Sequence, residues 1–159
     1  MSIEQLTVFV GNRRGALSDV TALLADRHID LRALSIADTR DFGILRLIVS
    51  DTKKAEKILL ENDYLVRITE VLGVKIGDEP GKLALALQTL SAAGVDVEYL
   101  YAFLARTARH AYVVLRVPDN QAAEAVLTAA GTEPSRSPEK PAPGRPALYS
   151  FLRSSSKIR

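Results

Sequence analysis

The sequence predicts an α+β protein built from two copies of one β-α-β-β-α-β unit, and three observations lead to this fold class. The first is a sequence repeat that links the two halves of the chain. The second is an alternation, within each half, between apolar residues at a period of two and at helical spacing. The third is that polar turn residues separate these segments. At 159 residues, the chain has room for two small domains.

The repeat is clearest around two glycine loops. Residues 8–17 (VFVGNRRGAL) align with residues 74–83 (VKIGDEPGKL) at an offset of 66, and residues 49–51 align with 117–119 at an offset of 68. The two extra residues fall near 105–109, where a hairpin turn tolerates an insertion. A register held across six elements indicates that the unit is duplicated.

The first copy is predicted to consist of two strand–helix–strand units. Leu6, Val8 and Val10 alternate with other residues as in a strand, and apolar residues at helical spacing follow to about His28. Asp51 or Thr52 is a suitable N-cap for the second helix. The predicted elements of this copy are strand 5–10, a helix after residues 12–15 that ends at about His28, strands 30–37 and 42–49 around the polar turn 38–41, a helix that follows the cap at residue 51 or 52 and ends at residues 62–63, and strand 64–68.

The second copy repeats this order. Its predicted elements are strand 71–77, helix 80–93, strands 95–104 and 109–117, and helix 119–130. Two interleaved right-handed crossovers in one antiparallel sheet give the ferredoxin-like arrangement, with both helices on one face. We therefore expect a first domain at 1–69, a second at 70–131, and a basic, proline-rich tail at 132–159.

Two strands are apolar on both sides. Phe42, Ile44 and Ile48 lie on one side of the third strand of the first copy, and Leu45, Leu47 and Val49 lie on the other. Residues 112–115 (YVVL) show the same pattern in the second copy. Strands of this kind are usually buried on both faces. The face without helices is therefore expected to be covered by the other copy, by a second chain, or by both, and a homodimer is the simplest closure.

The tail departs from the repeat. Residues 132–146 contain five of the seven prolines and show no hydrophobic periodicity, which predicts a loop. Residues 147–152 (ALYSFL) either return as the missing fourth strand of the second copy or form an exposed peptide that docks on a partner. Both alternatives stay open.

Composition excludes several functions. There is no cysteine, which excludes disulfides, zinc–thiolate sites and cysteine nucleophiles and fits a cytoplasmic protein. Residues 132–159 carry six of the 21 basic residues and two of the 19 acidic ones, so residues 1–131 carry 15 and 17. Residues 1–131 therefore carry little net charge, whereas nucleic-acid-binding domains usually present a strongly basic surface. No apolar stretch is long enough for a membrane span, and the first residues do not form a signal peptide.

The chain order places several polar loops at one end of each predicted sheet. In the first copy these are residues 12–15, 38–41 and 62–63, and residues 78–82 are the equivalent of the first in copy two. A helix that starts beside Gly15 or Gly81 presents free N–H groups and its positive dipole end to a small anion such as a carboxylate. Asn12 or Asp78 could accept an amino group. On chemistry alone, ordinary helix starts with Asn or Asp caps and Gly turns explain these loops better than a ligand site does.

The two loops, Asn12 to Leu17 and Asp78 to Leu83, resemble the N-x-P-G-x-L signature that opens the ACT domain. The resemblance covers about residues 3–130. Residues 33–39, 41–46, 98–99 and 101–103 look like a tandem subgroup of stand-alone bacterial ACT proteins. One departure is Arg14, which stands where the family usually has proline, so that a pre-set helix start is lost and a cation is added.

The resemblance implies a sensor without its own catalysis or cofactor, which binds an amino acid or similar small molecule and reports to a separate enzyme or regulator. Such sites lie where the first loop of one domain meets a strand of its neighbour, usually in a dimer. The candidate ligand-binding residues are Asn12, Arg14, Gly15, Ala16, Leu17, Asp38, Asp78, Glu79, Gly81, Lys82 and Leu83.

Catalysis and RNA binding are weaker hypotheses. His28 and His110 have no nucleophile or carboxylate at motif spacing, and no metal-ligand cluster occurs in the sequence. The RNA-recognition motif shares this element order and stacks bases on aromatics of its first and third strands. Phe9 and Phe42 are the candidates here, but the basic residue and second aromatic of that motif are missing.

Overall fold

The structure is a computed structural model that describes residues 2–38, 41–104 and 110–135. The described residues form seven strands and four helices in the predicted order. The elements are β1 (Ser2–Gly11), α1 (Ala16–Asp26), β2 (Leu31–Asp38), β3 (Phe42–Val49), α2 (Thr52–Glu61), β4 (Leu65–Gly77), α3 (Lys82–Ala92), β5 (Tyr99–Ala102), β6 (His110–Arg116), α4 (Asn120–Ala129) and β7 (Glu133–Pro134). The segment 147–152, for which a strand was one hypothesis, lies outside the described residues.

The two halves repeat each other in backbone detail. Helix α3 begins and ends 66 residues after α1, and α4 begins and ends 68 residues after α2. Asp51 caps α2 by accepting a hydrogen bond from the Lys54 amide, as the sequence predicts, and Asp119 caps α4 in the same way. The offsets seen in the sequence are thus the offsets of the fold.

One strand belongs to both halves. The sequence predicts separate strands at 64–68 and 71–77, but the structure has a single strand, β4. Only Thr69 and Glu70 lie between the two predicted strands, and neither residue breaks a β-strand. The sheet order is therefore β2-β3-β1-β4-β6-β5, with three strands of the first half and two of the second joined through β4.

The sheet curls until its two ends meet. Ala33 of β2 forms an antiparallel bridge with Phe103, and the Leu104 amide donates to the Arg32 carbonyl at 2.9 Å. The face away from the helices becomes an interior that both halves fill. Its buried apolar residues are Ile3, Ala33, Ile48, Val71, Tyr101, Phe103, Tyr112 and Val114. Over these residues the other copy covers the bare face, which is one of the three alternatives that the sequence left open.

Two further cores lie under the helices. Leu45 and Leu47 of β3 pack with α1 and α2, and Val113 and Leu115 of β6 pack with α3 and α4. Residues 47–49 of β3 and 112–115 of β6 are therefore buried on both sides, which explains why these stretches are apolar throughout.

A short strand follows α4, where the sequence predicts a loop. Glu133 and Pro134 form β7 and pair with Lys75 and Val74 of β4. The expectation of a loop from residue 132 onward is wrong at these two positions, which stand 68 residues after Leu65 and Val66 of the first copy. The sequence pattern did not predict this strand because proline is disfavoured in β-strands, although it is tolerated at a sheet edge. An ion pair between Lys75 Nζ and Glu133 Oε2, 2.9 Å apart, also connects β7 to β4.

A buried polar group joins the halves inside the curled sheet. Gln5 of β1 has no exposed surface; its amide group donates to the hydroxyls of Tyr99 (3.0 Å) and Thr7 (3.1 Å) and accepts from the Tyr101 hydroxyl (2.8 Å). We call these four residues the Gln5 junction. Burial and the neighbouring Tyr99 raise the pKa of Tyr101, opposed by Arg46, so the hydroxyl remains a donor.

Comparison of equivalent positions in the two halves predicts a substitution after α1 that stabilises the protein. His28 has a φ of 57° in the left-handed region, whereas Gly94, 66 residues later, has a φ of 71°. A side chain in this region costs about 1 kcal/mol, which glycine avoids. We expect His28→Gly to raise the free energy of unfolding by roughly 0.5–1 kcal/mol in urea denaturation. The reverse change, Gly94→His, should lower it by a similar amount, and equal stabilities for all three proteins would contradict this account.

Candidate functional site

Each half has a glycine at the start of its first helix. Gly15 precedes α1 with φ 84° and ψ −10°, and Gly81 precedes α3 with φ 92° and ψ −15°. A side chain would be strained in this left-handed conformation, although the space where a Cβ would lie is open at both positions. The first loop reaches the same geometry as the second with Arg14 in place of proline, so proline is not required for it.

These glycines are themselves the N-caps. Neither α1 nor α3 has a side-chain hydrogen bond at its cap. The N-cap positions of α1 and α3 are thus Gly15 and Gly81, whereas Asp51 and Asp119 occupy the N-cap positions of the other two helices, as such residues ordinarily do.

Part of the first helical turn is left without partners. The Ala16 amide donates to the Arg13 carbonyl (3.3 Å) and the Lys82 amide to the Glu79 carbonyl (3.2 Å), so these two amides are engaged in turns. Within the described residues no group accepts from the amides of Leu17 and Ser18, or from those of Leu83 and Ala84. Unpaired amides at a helix start can bind a carboxylate, with support from the helix dipole.

The two loops differ in charge. Arg13 and Arg14 are exposed in the first loop, and the Arg13 guanidinium forms an ion pair of 2.7 Å with Asp19 of α1. Asp78 and Glu79 are exposed in the second, where the Glu79 carboxylate lies 3.5 Å from the Lys82 ammonium. The same backbone geometry is thus surrounded by opposite side-chain charges.

The second loop borders an open groove of about 350 Å³. The lining combines the predicted loop with an apolar floor from the neighbouring strand ends; its residues are Ile76, Gly77, Asp78, Glu79, Pro80, Gly81, Leu83 and Ala111. The volume is within the range of small-molecule sites, roughly 300–1,000 Å³. The groove therefore brings together four predicted site residues, which are Asp78, Glu79, Gly81 and Leu83.

The sequence analysis missed the floor of this groove. Ile76 and Gly77 end β4 and align with Val10 and Gly11 in the repeat, so the alignment could have identified them. Nothing in the sequence indicated that Ala111 lines the groove, because only the pairing of β6 with β4 places it opposite Ile76.

The two loops do not meet. Strands β1 and β4 are antiparallel, with Phe9 paired to Leu65 and Ser2 paired to Leu72. The first loop follows the end of β1 and the second follows the end of β4, so they emerge at opposite ends of the sheet. Asp38 ends β2 at the same end as the first loop, with β3 between it and β1.

The described residues give no support to metal binding, a helical membrane span or RNA binding. The described residues contain no group of three or more potential metal ligands. None of the described helices is long and apolar enough to cross a membrane. Phe9 and Phe42, the aromatics considered for RNA binding, are neighbours with ring centres 5.8 Å apart, but their planes are inclined by 60°. They therefore do not form the flat platform on which bases stack.

Two ferredoxin-like units joined through one strand, each with a glycine-capped helix, define a tandem pair of like domains. The family model described as an ACT domain pair matches residues 1–131. The chain belongs to this family, whose domains are regulatory, ligand-binding modules, often for amino acids.

Solved structures agree with this assignment. The chain is similar to protein BT0572 from Bacteroides thetaiotaomicron, with 41% identity, a TM-score of 0.79, and coverage of 85% of this chain and 92% of that one. It shares its fold with the regulatory subunit of aspartate kinase from Thermus thermophilus at 16% identity, a TM-score of 0.60, and coverage of 80% and 91%. The regulatory subunit from Thermus flavus has 17% identity, a TM-score of 0.55, and coverage of 80% and 92%. No curated protein matches the sequence.

Proposed function

We propose that this protein is a sensor that binds an amino acid or a related small carboxylate at its glycine loops. The observation that carries the proposal is that both halves expose unpaired main-chain amides beside a left-handed glycine, with open space above it. Membership of the ACT family supports it, because these domains are ligand-binding modules.

The groove beside Gly81 suggests how an amino acid would be held. Its carboxylate would accept hydrogen bonds from the Leu83 and Ala84 amides, where the dipole of α3 favours negative charge. The Asp78 carboxylate lines the same groove and would accept from the amino group. Ile76 and Ala111 would contact the carbon chain, which gives the site an apolar side suited to an aliphatic part of the ligand.

The output of such a sensor would be a change in a partner. The ACT pair is a regulatory rather than a catalytic domain type, so we propose that the chain acts on a separate enzyme or regulator. We further propose that it works in the cytoplasm as a homodimer, since two-fold dimers are the commonest soluble homo-oligomers.

A thermal-shift screen against the twenty amino acids tests the proposal. A ligand at about ten times its Kd stabilises the folded state by about 1.4 kcal/mol. For a chain of this length, we expect the Tm to rise by roughly 3–6 °C. Gly81→Asn and Gly15→Asn should reduce the shift, because asparagine tolerates the left-handed conformation but places a side chain over the unpaired amides.

Gly94→Asn is the matched control. It introduces the same residue at another left-handed glycine with open space around it, away from both loops. The ligand should still raise the Tm of this variant by the wild-type amount. A screen without any shift would contradict the sensor proposal, and a shift unchanged in both loop variants would place the ligand elsewhere.

A further inference from the structure

Two arginines lie on the sheet face away from the helices, beside the Gln5 junction. Thr7 of β1 is paired with Arg46 of β3 on one side and with Arg67 of β4 on the other, so the three side chains share one face. Arg46 stands two residues before Ile48, which is buried in the shared interior, and therefore lies on that interior face. The two arginines are separated by two strand spacings, about 10 Å, and both are long enough to reach a group over Thr7.

The positive charge of these two arginines is not balanced within the protein. Lys75 and Arg116, which belong to the same face, each form an ion pair with a glutamate. Within the described residues, Arg46 and Arg67 form neither an ion pair nor a hydrogen bond. The Arg46 guanidinium lies 4.0 Å from the centre of the Tyr99 ring, which holds it in place but leaves its N–H donors without an acceptor.

The Gln5 side chain orients two hydroxyl groups beside the arginines. Its amide nitrogen donates to Thr7 Oγ1 at 3.1 Å and to the Tyr99 hydroxyl oxygen at 3.0 Å. Each hydroxyl therefore accepts a hydrogen bond and keeps its own proton for another partner. Among the described residues, no group accepts either proton. A hydroxyl donor on β1 thus lies between a cation on β3 and a cation on β4, and the arrangement lacks an acceptor.

Apolar side chains border the arginines on the open side of the sheet. Phe9 of β1 is paired with Ile44 of β3 and Leu65 of β4, one row farther from the interior than Thr7. Phe9 and Leu65 are 36% and 71% exposed. A molecule held between the arginines would extend over these residues, because the Gln5 junction and the buried apolar cluster close the opposite side.

We propose that this face binds a small phosphate monoester that carries an aromatic or other apolar group. The three terminal oxygens of a phosphate match three donors on three strands, which are the guanidiniums of Arg46 and Arg67 and the Thr7 hydroxyl. The phosphate charge, about −2 at neutral pH, balances the two arginines. The apolar group lies on Phe9 and Leu65, where it removes exposed apolar surface from water. The inference does not depend on ligand binding at the glycine loops.

Isothermal titration calorimetry of the full chain in a phosphate-free buffer tests the chemical class. We expect phenyl phosphate to bind, and inorganic phosphate to bind at least about fivefold more weakly because it lacks the ring that covers Phe9 and Leu65. Benzoate should bind at least about tenfold more weakly than phenyl phosphate, because it has the same ring with one charge and two oxygens.

Four variants test the residues. Arg67→Gln and Arg46→Gln should each raise the Kd for phenyl phosphate at least about tenfold, because one charged donor is lost. Arg67 is exposed, so its variant remains folded even if Arg46→Gln does not, and circular dichroism establishes this for both. Leu65→Ser should weaken phenyl phosphate and leave inorganic phosphate unchanged. Arg27→Gln is the matched control, since Arg27 is exposed at the end of α1 and should leave both Kd values unchanged.

Three results would overturn the proposal: no heat of binding with phenyl phosphate at millimolar concentration, a Kd that both arginine variants leave unchanged, or benzoate as tight as phenyl phosphate. Tighter binding of a single-stranded oligonucleotide through the same arginines would also contradict a small-molecule site. Gly15→Asn and Gly81→Asn should bind phenyl phosphate as the wild type does. The arginine face and the glycine loops can therefore fail or succeed independently.

Discussion

Replacing Gly73 with valine is expected to lower the free energy of unfolding by roughly 2–3 kcal/mol, the upper part of the range for overpacked cores. A Cβ at this position would collide with the Ser135 carbonyl oxygen and with the end of the Ile3 side chain. The Ser135 amide also donates to the Gly73 carbonyl at 2.8 Å, so the chain after β7 lies directly against β4. Ile3 can adjust its side chain, but the backbone at Ser135 has to move.

The matched control is Gly11→Val at the end of β1. A Cβ added there meets nothing within 4 Å, and the residue is not in the left-handed region. Because valine also favours strands, we expect a change within about 0.5 kcal/mol. Urea denaturation of both variants would show the difference. If Gly73→Val were as stable as the wild type, the close contact between Ser135 and Gly73 would not exist.

Breaking the Gln5 junction should produce the second large effect. Tyr101→Phe removes the donor to the Gln5 side-chain oxygen, which is buried, and an unsatisfied buried acceptor costs about 1–3 kcal/mol. Gln5→Leu should cost a similar amount, because the Tyr101 hydroxyl then loses its acceptor. The double variant should be less destabilised than the sum of the two, by at least about 1 kcal/mol, since both partners are removed together.

Tyr64→Phe serves as the control for the loss of a hydroxyl. Tyr64 is half-buried against the first core, and no hydrogen bond of its hydroxyl is found among the described residues. Its replacement should change the free energy of unfolding by no more than about 0.5 kcal/mol. Strictly additive effects of Gln5→Leu and Tyr101→Phe would show that the two residues do not act as a pair.

The sequence alone predicted those features of the fold that depend on local pattern. The helices, the Asp51 cap and the double burial of β3 follow from periodicity and from short-range capping chemistry, both of which are visible in the residues themselves. The repeat offsets predicted the second half from the first. The covering of one sheet face followed in part: of the apolar residues Phe42, Ile44 and Ile48 on that side of β3, Ile48 is buried in the shared interior, whereas Phe42 is exposed.

The features that the sequence did not reveal depend on contacts between distant segments. Nothing in Gln5 indicates burial, since its partners Tyr99 and Tyr101 lie more than ninety residues away. Glu133 and Pro134 have no strand pattern of their own and are held by β4. For the candidate site, the glycine loops were predicted from their motif, whereas Ala111 joins the groove only through strand pairing.

The continuity of β4 has a mechanical consequence. Its first residues pair with β1 beside the first glycine loop, and its last residues lead directly into the second loop, at the far end of the sheet. A molecule held at one loop cannot touch a molecule held at the other. Strand β4 is the one strand that pairs with both halves and leads from one loop to the other, so we expect a displacement at one end of β4 to be transmitted to the other end through its hydrogen bonds with β1 and β6.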